Sequence, residues 1–99
     1  MNEFSQIIEF TTDRIDEFNV ELDAWKASTE GHRIPHRATV TRDRDTDGRY
    51  LMSVEFASHE QATENSSRPE TAQFAAFLAR ISSGPITFRN LDVLRQEDF

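Results

Sequence analysis

What most constrains the fold of this chain is a switch in hydrophobic period, from about two residues to about 3.6 and back, made twice along its length. Residues 4–12, "FSQIIEFTT", alternate as a strand does. A helical stripe of Ile15, Phe18, Leu22 and Trp25 follows, with Thr12 or Asp13 as its cap and Asp16 and Glu17 in the first turn, where the helix dipole favours acids. Gly31 and Pro35 break that helix, and strands are expected over 37–44 and 49–57, on either side of an acidic loop. Ser58 and Gln61 form a capping box for a second helix, which is interrupted near Ser67-Arg68-Pro69 and restarted with Ser67 and Glu70 as a second box. Phe74, Phe77, Leu78 and Ile81 give the restarted helix its apolar stripe, Gly84-Pro85 stops it, residues 86–95 form the last strand, and 95–99 read as a loose tail.

The order is therefore βαββαβ. Two crossovers sharing one sheet give an α+β, ferredoxin-like sandwich, an antiparallel sheet in the order 4-1-3-2 with helices on one face. Ninety-nine residues suffice for one core, so 1–99 is read as a single domain. The period of two places Phe4, Ile8, Phe10, Ala38, Val40, Met52, Val54, Phe56, Ile86 and Phe88 on one face, which must be the face under the helices. The opposite face carries Ile7, Leu51, Leu91 and Val93 among Glu9, Glu55, Arg37 and Arg89. Helices cannot cover both sides in this topology. A solvated face is one reading, since antiparallel sheets tolerate it. The preferred reading is a homodimer formed through the apolar patch of Ile7, Leu51, Leu91 and Val93.

Charge and composition then remove whole classes of function. A formal net charge of −7 argues against nucleic acid and anionic membrane surfaces as partners. The chain has no Cys, which excludes thiol chemistry and thiolate zinc sites, and its apolar runs are too short to span a bilayer. The opening MNEFSQ has neither a basic patch nor a signal-type apolar stretch, so the cytoplasm is the expected compartment. The spacing of His32 and His36 establishes no metal site, and no Gly-rich phosphate loop is present, so neither metal nor cofactor is expected.

Side-chain parity also nominates residues for chemistry. Gln6, Tyr50 and Asn90 are the polar side chains that fall on the helix-facing side, and pairing Ile8 with Phe88 sets Gln6 opposite Asn90. Two adjacent amides among Phe10, Phe56, Phe74, Phe77 and Phe88 would orient a carbonyl or phenolic group while the rings hold a flat molecule. Equally, the amides would satisfy each other or the helix backbone. Trp25 reads either as the end of a core stripe or as a stacking wall. His59 and Asn65 lie on the first part of the broken helix, a segment placed to act as a lid. His59 sits in the first turn, where the dipole disfavours the imidazolium and leaves a base; the alternative is an ordinary solvated histidine.

The order of elements, the chain length and the stretches "SVEFASHEQATENSSRPETAQF" and "GPITFRNLDVL" resemble the antibiotic-biosynthesis-monooxygenase-like members of the dimeric α+β barrel superfamily, particularly small actinobacterial-type proteins. The resemblance covers nearly the whole chain. It implies two ferredoxin-like protomers packed sheet against sheet, each with a pocket between sheet and helices. For activity it implies a cofactor-independent monooxygenase of a small aromatic or polyketide-like substrate; in such a reaction the residues nominated by parity and helix position would divide the work, His59 or Tyr50 taking a proton and Gln6 and Asn90 holding the oxyanion. A non-catalytic ligand-binding or interaction module on the same scaffold is the alternative. The haem-degrading branch would require an Asn in the first strand and Trp and His in the later helices, where this chain has Gln6, no Trp after Trp25, and His59 alone.

Asp43, Asp45, Asp47 and Gly48 follow the D-x-D-x-D-G order that opens an EF-hand. Pairing Val40 with Val54 and Ala38 with Phe56 instead sets Asp45 opposite Arg49 and leaves Thr46-Asp47-Gly48 as a hairpin loop, with Gly48 left-handed. The twelfth position, which needs a bidentate Glu, is Val54, and Glu55 points to the opposite face. Calcium should therefore bind no tighter than about the millimolar range found for weak sites, which calorimetric titration measures; micromolar affinity would refute the hairpin reading.

Overall fold

The computed structural model describes residues 3–99; Met1 and Asn2, which the expected span of 1–99 includes, lie outside the described residues. Among the described residues the elements run β1 (Phe4–Thr11), α1 (Ile15–Ser28), β2 (Arg37–Arg42), β3 (Arg49–Phe56), α2 (His59–Ser66), α3 (Pro69–Ile81) and β4 (Thr87–Asp92). The sheet order is β2-β3-β1-β4 with every neighbouring pair antiparallel, which is the ferredoxin-like order 4-1-3-2 read from the other edge.

Alternation along the strands decides which face is buried. Ile8, Phe10 and Met52 from the sheet meet Phe18 of α1 and Leu78 and Ile81 of α3 in one cluster of buried side chains, while Phe4 and Phe56 meet Ala62 of α2 in a second. Val54 packs against both. The aromatic rings make a column: Tyr50 stacks on Phe10 at 5.9 Å, Phe10 lies 5.1 Å from Phe18, and Phe18 meets Phe74 edge-on at 5.6 Å. Burying each such ring is worth about 1.5–3 kcal/mol, so this column and its neighbours clamp the helices to the sheet.

Helix boundaries follow local chemistry. The Ser58 hydroxyl accepts the Gln61 amide at 3.2 Å and opens α2 as expected. The second box does not form: the Ser67 hydroxyl turns back to donate to the Glu64 carbonyl, and α3 opens instead on Pro69, whose missing N–H is no loss in a first turn. At α1, Thr12 is not the cap residue, a place taken by Arg14; its hydroxyl accepts the Arg14 amide at 3.0 Å from outside the helix. The Arg14 guanidinium also hydrogen-bonds Glu17 and holds that carboxyl below the usual carboxylate range.

The expected register holds between β1 and β4, where Gln6 faces Asn90 and Ile8 faces Phe88. Between β2 and β3 it is corrected by two residues: Val40 pairs with Met52 and Ala38 with Val54, so Asp45 does not face Arg49. A two-residue slip leaves every side chain on its face and is therefore invisible to parity. Its cause is the loop. The Asp43 side chain accepts the Asp45 amide at 2.9 Å, ending β2 at Arg42, and Gly48, at φ +76°, gives its carbonyl to the Thr12 amide at 2.9 Å. β4 stops at Asp92, short of the expected 95, because its partner β1 begins at Phe4; one further bond, from the Val93 amide to the Glu3 carbonyl, ends the pairing.

Thr12 joins three of these parts. It is buried, and its hydroxyl donates to the Ile81 carbonyl at the end of α3 at 2.6 Å while accepting from Arg14. The neighbouring Thr11 carbonyl takes the Ser83 amide at 2.7 Å. Replacing Thr12 with Val keeps the shape and strands a buried carbonyl, so urea denaturation should show a loss of about 1–3 kcal/mol, with Thr12→Ser close to wild type.

Candidate functional site

Between the sheet and the helices lies a cleft of about 560 Å³. Its floor is the buried set Ile8, Met52, Phe56 and Leu78. Trp25 and Leu22 of α1 and Phe74 of α3 wall it, and Phe88, a little over half exposed, stands at the β4 side. The space exists because α3 presents Thr71, Ala72 and Ala75 toward the sheet and β2 presents Ala38, side chains too short to close the gap that larger residues would fill.

Of the residues nominated from sequence, Gln6, Trp25, Phe56, Asn65, Phe74 and Phe88 line the cleft. The amide pair also forms: Gln6 Nε2 donates to Asn90 Oδ1 at 3.1 Å. Asn90 itself lies outside the lining, on the exposed edge strand, and touches the cleft only through Gln6. Phe10, Phe77, Tyr50 and His59 are not brought to the cleft. Phe10 is spent in the core column against Phe18, Tyr50 lies against Phe10 at the far end of the sheet, and Phe77 packs on the core beneath the Arg80 guanidinium. His59 sets its ring edge-on to Phe4 at 5.0 Å, on the exposed side of α2.

Sequence reasoning missed the rim. Lys26, Arg33, Pro35, His36 and Arg37 line the mouth, carried by the end of α1 and the loop into β2. No period marks a loop, so nothing in their spacing announced them; the one available signal was the density of basic residues in "HRIPHR" within an acidic chain. The loop is tied down at several points. The Arg33 guanidinium donates to Thr29 Oγ1 at 3.2 Å and to the Lys26 carbonyl at 2.7 Å, and lies 5.6 Å from the Trp25 ring centre. The His36 amide bonds the Glu55 carbonyl, and Arg68, at the break between α2 and α3, reaches across to donate to the His32 carbonyl at 2.8 Å. The helix break thus supplies a strut between the two sides of the mouth.

The other face of the sheet mixes apolar and charged side chains. Ile7, Leu51 and Val93 are half-buried and Leu91 is exposed, between the ion pairs Glu9–Arg49 at 3.2 Å and Arg37–Glu55 at 3.7 Å. Among the described residues no group of three or more His, Asp or Glu side chains is placed to hold a metal ion, and no helix is long and apolar enough to cross a membrane.

No protein-family model matches the chain, and no curated protein matches it. Solved structures do, over nearly its whole length. The cofactor-independent oxygenase SnoaB from Streptomyces nogalater superposes with a TM-score of 0.78 at 20% identity, covering 98% of this chain and 97% of that one. A candidate antibiotic biosynthesis monooxygenase from Caulobacter crescentus gives 0.80 at 13% identity, with 95% and 92% covered. A second, from Nitrosomonas europaea, gives 0.77 at 10% identity, with 94% and 91% covered. The chain therefore has the ferredoxin-like α+β fold of structures described as antibiotic biosynthesis monooxygenases. At such identities the likeness is one of fold, and the site must be argued from its own residues.

Proposed function

We propose that the protein is a cofactor-independent monooxygenase acting on a small, flat, aromatic or polyketide-like molecule held in the cleft. The observation that carries this reading is the Gln6 amide, fixed by its bond to Asn90 and set in the lining beside the apolar side chains of Ile8, Met52, Val54 and Phe56. The apolar walls of Trp25, Phe56, Phe74 and Phe88 suit a fused ring system, and Gln6 offers a polar anchor for a ring oxygen. The fold shared with SnoaB supports the same class of reaction.

The chemistry is that of an activated ring carbon. Removing a proton from a CH₂ flanked by aryl and carbonyl-bearing rings gives an enolate or phenolate, whose oxygen the second N–H of Gln6 stabilises. That electron-rich carbon reduces dioxygen and forms a C–O bond to it, giving a peroxide. Loss of water from the peroxide leaves a carbonyl, so one oxygen atom enters the product and the other departs as water. His36 lines the cleft and is the imidazole placed to accept the proton; Tyr50 and His59, nominated for that role from sequence, do not line it. Asn90 is a positioning residue that acts through Gln6.

A second reading, a ligand-binding module without turnover, has its own support: the titratable side chains of the lining sit at the mouth on exposed residues, and the floor offers no acid or base. Anthrone- and quinol-type compounds, followed with an oxygen electrode and by thermal shift, separate the two. Oxygen uptake without added flavin, haem or metal supports the enzyme; stabilisation without uptake supports the binding module. For the enzyme, Gln6→Leu should lower kcat by about a hundredfold, the typical cost of an oxyanion donor, and Asn90→Leu by less.

We further propose a homodimer through the outer sheet face. Half-covered Ile7, Leu51 and Val93 with exposed Leu91 form an apolar strip, and its flanking ion pairs offer both signs to a second copy. Light scattering at micromolar concentration should find a dimer, and Leu51→Lys should yield monomers because each interface would then bury an added ammonium whose cross-strand neighbour Glu9 is already paired with Arg49. A monomeric wild type refutes the interface.

A further inference from the structure

The charged side chains in the cleft lining are all basic. Lys26, Arg33 and Arg37 line it and no Asp or Glu does, in a chain with 18 acidic residues against 11 Lys and Arg. A random draw from such a composition would favour acids, so the inversion is local to the mouth. Asp23 and Glu30 share a neighbouring depression with Lys26 and Arg33 but do not enter the cleft. Arg37 is engaged with Glu55 across the sheet. Lys26 and Arg33, by contrast, form no ion pair among the described residues.

Arg33 is held in place rather than merely present. Its Nε donates to the buried Thr29 hydroxyl, one Nη2 hydrogen goes to the Lys26 carbonyl, and its guanidinium carbon lies over the Trp25 ring. These contacts orient the guanidinium at the end of the aromatic wall and leave Nη1 with no protein partner among the described residues. A planar fork with free donors, beside an ammonium, is the arrangement that receives a carboxylate. Little side-chain entropy remains to be lost when it does so.

We propose that the ligand of this cleft is an aromatic carboxylate, its rings between Trp25, Phe74 and Phe88 and its carboxylate at the mouth on Arg33 and Lys26. This rests on the reading of the cleft as a ring-binding site and adds to it the charge of the ligand. Recognition is then bipolar, with an apolar body inside and a single anionic group at the entrance. The protein's overall negative charge makes the mouth selective, because an anion is repelled elsewhere on the surface.

The test is calorimetric titration of the whole chain with 2-naphthoate and its neutral isostere 2-naphthamide, for wild type, Arg33→Gln and Lys26→Gln. Charged hydrogen bonds of this kind correspond to about a ten- to hundredfold preference, so the wild type should bind naphthoate at least about tenfold more tightly than the amide. That ratio should shrink as salt is raised and fall toward unity in Arg33→Gln. Lys26→Gln, whose side chain makes no hydrogen bond or ion pair among the described residues, keeps the test valid should loss of Arg33 disturb the loop, and it should reduce the ratio severalfold. Equal binding of the two compounds by wild type, or a ratio unchanged in both variants, overturns the inference and leaves the ring site standing. Failure of both compounds to bind removes the ring site and this inference with it.

Discussion

Strand β1 is hydrogen-bonded along both edges, to β3 on one side and β4 on the other, and the remaining structure depends on that double pairing. A strand so placed has no freedom to slip, because a one-residue shift would expose Phe4, Ile8 and Phe10 and bury Ile7 and Glu9. One crossover leaves β1 and passes β3 to reach β2, the other leaves β3 and passes β1 to reach β4, and α1 and α3 pack against each other on one side of the sheet. The end of β1 is where the parts converge. Through Thr11 and Thr12 it holds the end of α3 and the β2–β3 loop together, so the cleft is built between elements anchored at one corner.

Away from that corner the packing loosens. The aromatic column of Phe10, Phe18 and Phe74 closes the region near Thr12, and beyond it the helices carry Ala and Thr where Phe would be needed to meet the sheet. The gap is therefore a property of side-chain volume, not of a missing element. The interruption at Ser67-Arg68 has a second consequence, since Arg68 reaches from the break to the His32 carbonyl and braces the loop that carries Arg33 and His36. A continuous helix would have no reason to present an arginine at that point.

Much of this was readable in advance, for a definite reason. Alternation and helical spacing report which residues face the core, and the core faces of Phe4, Ile8, Phe10, Met52 and Phe56 are the buried ones. The Gln6–Asn90 pairing was also legible, because aligning Ile8 with Phe88 in an antiparallel pair leaves those two amides opposite each other. The β2–β3 register was not, since a slip of two residues preserves every face and only the Asp43 turn and the Gly48–Thr12 bond distinguish the two alignments. Nor was the sorting of aromatic residues into core and cleft. Phe10 and Phe56 have the same parity and chemistry, yet one is packed against Phe18 and the other meets the open space, a difference set by the helix that happens to lie above.

The amino-acid sequence alone thus determined the order of elements, the sheet topology, the face that is buried and the break before Pro69, all of which follow from local periodicity and turn chemistry. Tertiary structure decided the cleft. Its volume depends on which short side chains face each other across two layers, its charge on a loop without periodicity folding back over Trp25, and the exclusion of Tyr50 and His59 on where the strand ends and helix starts fall in three dimensions. Such contacts join residues far apart in the chain, and no local pattern encodes the distance between them.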